Sequence, residues 1–191
     1  MRNMTRPSPT PRFGAALALS LFASLAVTPA YAEDTGPVVE VSRDGTVDGS
    51  VIVGAPPDVV QTYLADVKGL RLHNSDVTSV NVSRDGACEL VTTTAKNVVE
   101  MTYTARRCPT TSGWVETLLD SELMDDYYAE WFLTPVSTGI EVRFRLRTEV
   151  DLPVPSRLIR GTIKKSVQDS LERMQSALGG PGAPPKQVAQ E

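Results

Sequence analysis

The sequence predicts an α+β domain: one strand, a helix and a short second helix, then six strands and a long C-terminal helix. Three observations carry this. Between residues 77 and 149 apolar and polar residues alternate with a period of two, in six segments separated by turn-forming residues. Residues 59–67 and 156–178 instead repeat apolar side chains every three or four positions, the spacing of one helix face. The chain has 191 residues, 41% hydrophobic and 22% charged, which excludes collagen-like, coiled-coil and wholly disordered architectures.

The first 32 residues read as a secretory signal. Arg2, Arg6 and Arg12 supply a positive start without an acid, Phe13 to Val27 is apolar or small, and Ala30-Tyr31-Ala32 fits a cleavage site. The apolar run is shorter than the roughly 20 residues a membrane helix needs. The expected product is exported, periplasmic or secreted, with cleavage after Ala32. Removing the segment takes the formal charge from −4 to −7. Such an acidic chain suits no nucleic acid, whose binding rests on cations that neutralise phosphates.

Residues 33–37 are polar and expected to be loose. The stretch 38–53 alternates but is interrupted at Arg43-Asp44-Gly45, so its second half is read as the first strand. Gly54-Ala55-Pro56-Pro57-Asp58 starts a helix, because proline is tolerated in the first turn and the Asp58 carboxylate suits the positive helix end. Val59, Val60, Tyr63, Leu64 and Val67 then share one face, and 68–74 forms a short second helix.

The strands are expected at 77–83, 87–94, 98–107, 113–120, 127–135 and 139–149. In the last, Ile140, Val142, Phe144 and Leu146 alternate with Glu141, Arg143, Arg145 and Arg147, giving one dry and one wet face. Val99, Met101, Tyr103 and Ala105 do the same in the third of these strands. The C-terminal helix presents Ile159, Ile163, Val167, Ser170, Met174 and Leu178 as a stripe, and Gly179-Gly180-Pro181-Gly182 stops it. Residues 179–191 read as a disordered tail.

With one histidine and two cysteines, no Cys/His zinc cluster can form. Cys88 and Cys108 sit near the outer ends of two adjacent strands, so an oxidising compartment would pair them across the hairpin. Two buried thiols are the alternative. Any histidine-based catalysis must use His73, to which Asp76 is near in sequence only, and a surface or helix-end histidine is the commoner case. Asp120, Glu122, Asp125 and Asp126 lack the spacing of a calcium loop and read as a solvated acidic loop. Asn81-Val82-Ser83 is a formal glycosylation triplet. No catalytic residue, metal or cofactor is assigned.

Between Arg143 and Lys165 lie seven cations and only two acids. Arg157, Arg160 and Lys164 share one flank of the last helix, where they could approach an anionic membrane surface. The alternative is a solvated face paired with neighbouring acids.

Two stretches resemble the START-like (SRPBCC) superfamily of helix-grip proteins, which includes lipid-transfer domains, polyketide cyclases and coenzyme Q-binding proteins. One is Ile52-Val53-Gly54-Ala55-Pro56-Pro57-Asp58-Val59-Val60 at the strand-to-helix entry. The other runs from Trp131-Phe132-Leu133-Thr134-Pro135 through Gly139 and Val142-Arg143-Phe144 to Leu152-Pro153-Val154-Pro155 and the last helix. The resemblance covers residues 38–178. It implies a curved antiparallel sheet of about seven strands, in the order β-α-α-β6-α, wrapped around the C-terminal helix with an apolar cavity between.

Met101, Tyr103, Trp131, Leu133, Val142, Phe144 and Leu146 would then face Ile159, Ile163, Val167, Ser170 and Met174. The periodicity alone fits a packed core equally well. Tyr103 and Ser170 are the inward polar groups, able to orient a ligand's polar end in a cavity. The function expected is carriage of a lipid or other apolar small molecule. A cyclase or hydrolase using the same cavity, and an interaction domain with a solid core, are the alternatives.

Overall fold

The computed structural model describes residues 36–72, 74–96, 99–151 and 155–182. The signal segment, His73, Leu152-Pro153-Val154 and the tail from residue 183 lie outside the described residues. Eight strands form one curved antiparallel sheet, one more than expected. The extra strand is β1 (Val38–Val41), which pairs with β2 (Val47–Val53) across the Arg43-Asp44-Gly45 turn. Besides the backbone bond from the Ser42 amide to the Thr46 carbonyl at 2.9 Å, side chains close that turn: the Ser42 hydroxyl donates to the Thr46 carbonyl at 3.0 Å, and the Asp44 carboxylate accepts from the Thr46 amide at 3.1 Å. Both halves of the 38–53 stretch are therefore strand.

Helix α1 (Pro57–Ala65) begins with proline in its first turn and Asp58 beside it, and α2 (Val67–Leu72) follows. Six strands then run as a meander: β3 (Val77–Asp85), β4 (Cys88–Lys96), β5 (Glu100–Pro109), β6 (Gly113–Ser121), β7 (Met124–Val136) and β8 (Gly139–Val150). The long helix α3 spans Ser156–Leu178. The spatial order is β1-β2-β8-β7-β6-β5-β4-β3. Consecutive β2 and β3 thus lie near opposite edges, and α1 and α2 make the crossing between them. Helix α3 returns from β8 to pack against β2 and β1.

The helix grips the sheet at Gly49. A Cβ there would stand 2.7 Å from Leu171 Cδ1 and 2.9 Å from Val167 Cγ1, closer than such atoms approach. Val167, Leu171, Met174 and Leu178 are buried against Val47, Val51, Val53, Ile140 and Val142. Burying each such aliphatic side chain stabilises by about 1.5–3 kcal/mol. The buried stripe therefore runs through Leu171 and not Ser170. Ser170 lies half-buried on the flank, its hydroxyl donating to the Ser166 carbonyl at 2.8 Å. Helix α3 is tied at its end by Gly54 N–H to the Gly179 carbonyl at 2.9 Å. Among the described residues, no helix is long and apolar enough to cross a membrane.

Cys88 and Cys108 form a disulfide that joins the outer ends of β4 and β5, with an S–S distance of 2.09 Å. The register places Glu89 opposite Arg107, so the bridging residues are the next pair along the same two strands. On the convex face Thr92 pairs with Thr104 and Thr94 with Thr102, hydroxyl to hydroxyl, at 2.9 and 3.0 Å. The arginines of β8 are neutralised there: Arg145 by Asp48 at 2.9 Å, Arg147 by Asp126 at 2.6 Å, and Arg143 by Glu141 at 3.6 Å. All three arginines are about half exposed, and such pairs contribute little stability.

Candidate ligand-binding site

Strand alternation and register place Met101, Tyr103, Trp131, Leu133, Val142, Phe144 and Leu146 on the concave face. They divide into two clusters. Val142 is fully buried with Val167 and Met174, and Trp131, Leu133, Phe144, Leu146 and Ile163 pack partly buried around that group. The Trp131 and Phe144 rings stack at 4.1 Å. Met101 and Tyr103 belong to a second cluster with Ala105, Leu118, Met124, Tyr127, Ala129 and Val150, which Phe144 and Leu146 also join.

Every member of that second cluster comes from the sheet. Helix α3 covers the β1–β2 side, and its buried residues Val167, Leu171, Met174 and Leu178, with Ile163, pack in the first cluster. Six of the sheet-only side chains (Met101, Tyr103, Leu118, Phe144, Leu146 and Val150) stay only partly buried. Ile159 is half-buried, one turn before Ile163. Among the described residues, part of the apolar concave surface is thus only partly covered.

Next to it lies a buried polar network that the sequence reading missed. Arg71 of α2 reaches across to the Tyr103 hydroxyl and the Glu116 carboxylate. The Tyr127 hydroxyl donates to Glu116 at 3.0 Å and lies 3.4 Å from Arg71 Nη2. Arg107, only 1% exposed, sets Nε 3.3 Å from Glu116 Oε1, donates to Glu89 at 3.2 Å and to the Leu64 carbonyl at 2.5 Å. Its guanidinium also stacks 4.9 Å over the Trp114 ring. Two arginines and two glutamates therefore alternate through the interior.

Burial alone would disfavour the Arg71 charge. The Glu116 carboxylate and the Tyr103 and Tyr127 hydroxyls outweigh it and hold the Arg71 pKa well above the ordinary arginine value. Burial pushes the Tyr127 hydroxyl well above the usual phenol range, helped by the Glu116 charge and opposed by Arg71. Thr93, opposite Tyr103 in the strand register, is fully buried, and its hydroxyl has no partner among the described residues.

Strand parity could have revealed these groups. Arg107 continues the inward series Met101, Tyr103, Ala105, and Tyr127 continues Leu133, Trp131, Ala129. The charged side chain at Arg107 hid the pattern. Arg71 had no such signal, because a six-residue helix has too few positions to define a face.

Two depressions lie away from this surface. One, of about 120 Å³, is lined by Ala65, Ala87, Glu89, Arg107, Pro109 and Trp114, at the disulfide end of the sheet. The other, of about 410 Å³, lies on the convex face among Phe132, Thr134, Glu141, Arg143 and Arg145. Among the described residues no three His, Cys, Asp or Glu side chains gather to hold a metal ion.

Residues 44–179 match the model of the polyketide cyclase / dehydrase and lipid transport family. The chain belongs to that family. It is a START-like helix-grip protein, and the family's activities are lipid transport and polyketide cyclisation or dehydration.

Solved structures with the same fold include a STAR-related lipid transfer protein from Xanthomonas axonopodis. It is 15% identical with a TM-score of 0.58, over 73% of this chain and 90% of that one. A START superfamily protein from Mycobacterium smegmatis is 14% identical with a TM-score of 0.57, over 68% and 95% of the two chains. The Zhui aromatase/cyclase from Streptomyces sp. R1128 is 19% identical with a TM-score of 0.51, over 71% and 98%. At these identities the likeness establishes the fold. No curated protein sequence matches the chain significantly.

Proposed function

We propose that the protein is an exported carrier of an apolar small molecule or lipid, held on the concave face beside α3. The observation that carries this reading is the sheet-only apolar cluster. Among the described residues six of its side chains are only partly buried, two of them, Phe144 and Leu146, shared with the helix-packed cluster. Burial of a ligand there would contribute about 25 cal/mol per Å² of apolar area before association costs. Family membership supports the same class of ligand. The disulfide supports an oxidising compartment, and therefore export.

The test is native mass spectrometry of the full-length gene product, purified from the export compartment of its own host, followed by organic extraction. A stoichiometric apolar compound is expected. An unliganded mass that persists after exposure to the host's lipid extract would refute carriage and favour an interaction domain with a solid core.

One observation favours the cyclase reading as the second choice. The Tyr103 hydroxyl accepts a bond from Arg71, and its side chain belongs to the sheet-only apolar cluster, so a hydrogen-bonded phenol lies at that surface. Turnover of a polyketide substrate, lost in Tyr103→Phe, would promote that reading.

Ligand exchange at an anionic membrane is part of the same proposal. Arg157, Arg160 and Lys164 are exposed and unpaired among the described residues, and Leu158 beside them is 64% exposed. Salt-sensitive sedimentation with phosphatidylglycerol vesicles, lost when the three cations are changed to Gln, is the expected result.

A further inference from the structure

We infer that the polar end of the bound molecule is an uncharged acceptor oxygen, such as a ketone or ester carbonyl, received by the Tyr103 hydroxyl. The inference rests on the ligand-binding reading above and narrows the class of ligand.

Three observations converge. First, Tyr103 is a donor without an acceptor. Its oxygen accepts from Arg71 Nη1, which leaves its proton free among the described residues. The side chain is only partly buried and packs in the sheet-only cluster with Met101, Phe144 and Leu146, the surface on which the ligand is proposed to lie. Second, Thr93 lies directly across from Tyr103 on the neighbouring strand, on the same face. Cross-strand neighbours of this kind hold their Cβ atoms about 4.5–5.5 Å apart. Its hydroxyl is buried and unpartnered, an uncharged group at the foot of the same face.

Third, the charges near this point already cancel. Arg71 and Arg107 are matched by Glu116 and Glu89. The guanidinium groups are also committed. Arg71 spends Nη1 on Tyr103 and Nη2 on Glu116, with Tyr127 3.4 Å away. Arg107 donates to Glu89 and the Leu64 carbonyl and is ion-paired with Glu116, although its buried Nε, 3.3 Å from Glu116 Oε1, makes no hydrogen bond among the described residues. An incoming carboxylate or phosphate would find both arginines already paired with a carboxylate, and it would stand near Glu116. Burying it would leave an uncompensated charge in a poorly solvated place. A neutral carbonyl needs only a donor, and the Tyr103 hydroxyl supplies one.

The experiment uses the full protein and three probes of matched chain length: 2-tridecanone, dodecanoate and dodecane. Each is titrated at pH 8, where the acid is ionised, by displacement of the neutral apolar dye Nile red. The ketone is expected to displace the dye at a concentration at least about tenfold lower than dodecanoate does. Tyr103→Phe, checked for its fold by circular dichroism, should weaken the ketone about 3- to 10-fold, to the level of dodecane, and leave dodecanoate unchanged.

Dodecanoate binding as tightly as the ketone in the wild-type protein would overturn the inference without need of any variant. So would a ketone preference that survives in Tyr103→Phe. If the dye and dodecane bind but the head group makes no difference, the inference falls and the carrier reading stands. If dye and all three probes fail to bind the folded protein, the carrier reading falls and takes this inference with it.

Discussion

Replacing Glu116 by Gln tests whether the buried network is held together by charge. The substitution keeps shape and one acceptor oxygen but removes the carboxylate that faces Arg71 and Arg107 together. The side chains of Arg71, Arg107 and Glu116 are 13%, 1% and 4% exposed, so water cannot take over the role. After the change Glu89 alone opposes two guanidinium groups, and it is itself 38% exposed. Breaking a buried pair in this way costs about 3–5 kcal/mol. A domain of this size loses about 2–4 °C of melting temperature per kcal/mol, so a fall of about 6–20 °C is expected in thermal denaturation. The double variant Arg71→Met/Glu116→Gln leaves Arg107 matched by Glu89. It should therefore cost less than the sum of the single variants, with a coupling of about 0.5–3 kcal/mol. A Glu116→Gln protein within 1 kcal/mol of wild type, or strictly additive variants, would refute the argument that charge holds this interior.

Three further outcomes are expected. Gly49→Ala puts a methyl group 2.7 Å from Leu171 Cδ1, and overpacking of this kind costs about 1–3 kcal/mol in urea denaturation; Gly161→Ala, with nothing within 4 Å, should not destabilise. Removing the disulfide as Cys88→Ser/Cys108→Ser releases a loop with a sequence separation of 20 and should cost about 3 kcal/mol, read as a lower urea midpoint under non-reducing conditions. The Tyr127 hydroxyl has its folded pKa raised above the unfolded value near 10, so its contribution is present below pH 10 and is lost as pH rises. Stability measured between pH 9 and 11 should fall less steeply in Tyr127→Phe, by up to about 1.4 kcal/mol per pH unit above 10, and an unchanged slope would contradict the assigned burial.

The sequence carried much of the fold because its cues are local. Period-two alternation in 139–149 and helical spacing in 156–178 name a strand and a helix without any knowledge of what they touch. Turn chemistry at Arg84-Asp85-Gly86 and Ser137-Thr138-Gly139 separates strands that then pair in order. Export-compatible cysteines at the ends of neighbouring strands were enough to anticipate the bridge between Cys88 and Cys108. The same local cues missed β1, since pairing across 42–46 depends on the side chains of Ser42 and Asp44 closing the turn.

What the tertiary structure alone decided is where the helix lies and what fills the rest. The sequence shows that α3 has an apolar stripe, but not that it packs at Gly49 onto β1 and β2, while α2 reaches the β5–β7 surface through Arg71. Nor does it show that Arg71, Arg107, Glu116 and Tyr127, drawn from four different elements, meet in one network. A charged side chain reads as solvent-exposed when its neighbours in space are unknown, because its desolvation cost is offset only by partners distant in sequence. Local periodicity fixes which face a residue points to, whereas satisfaction of a buried charge is a property of the assembled fold.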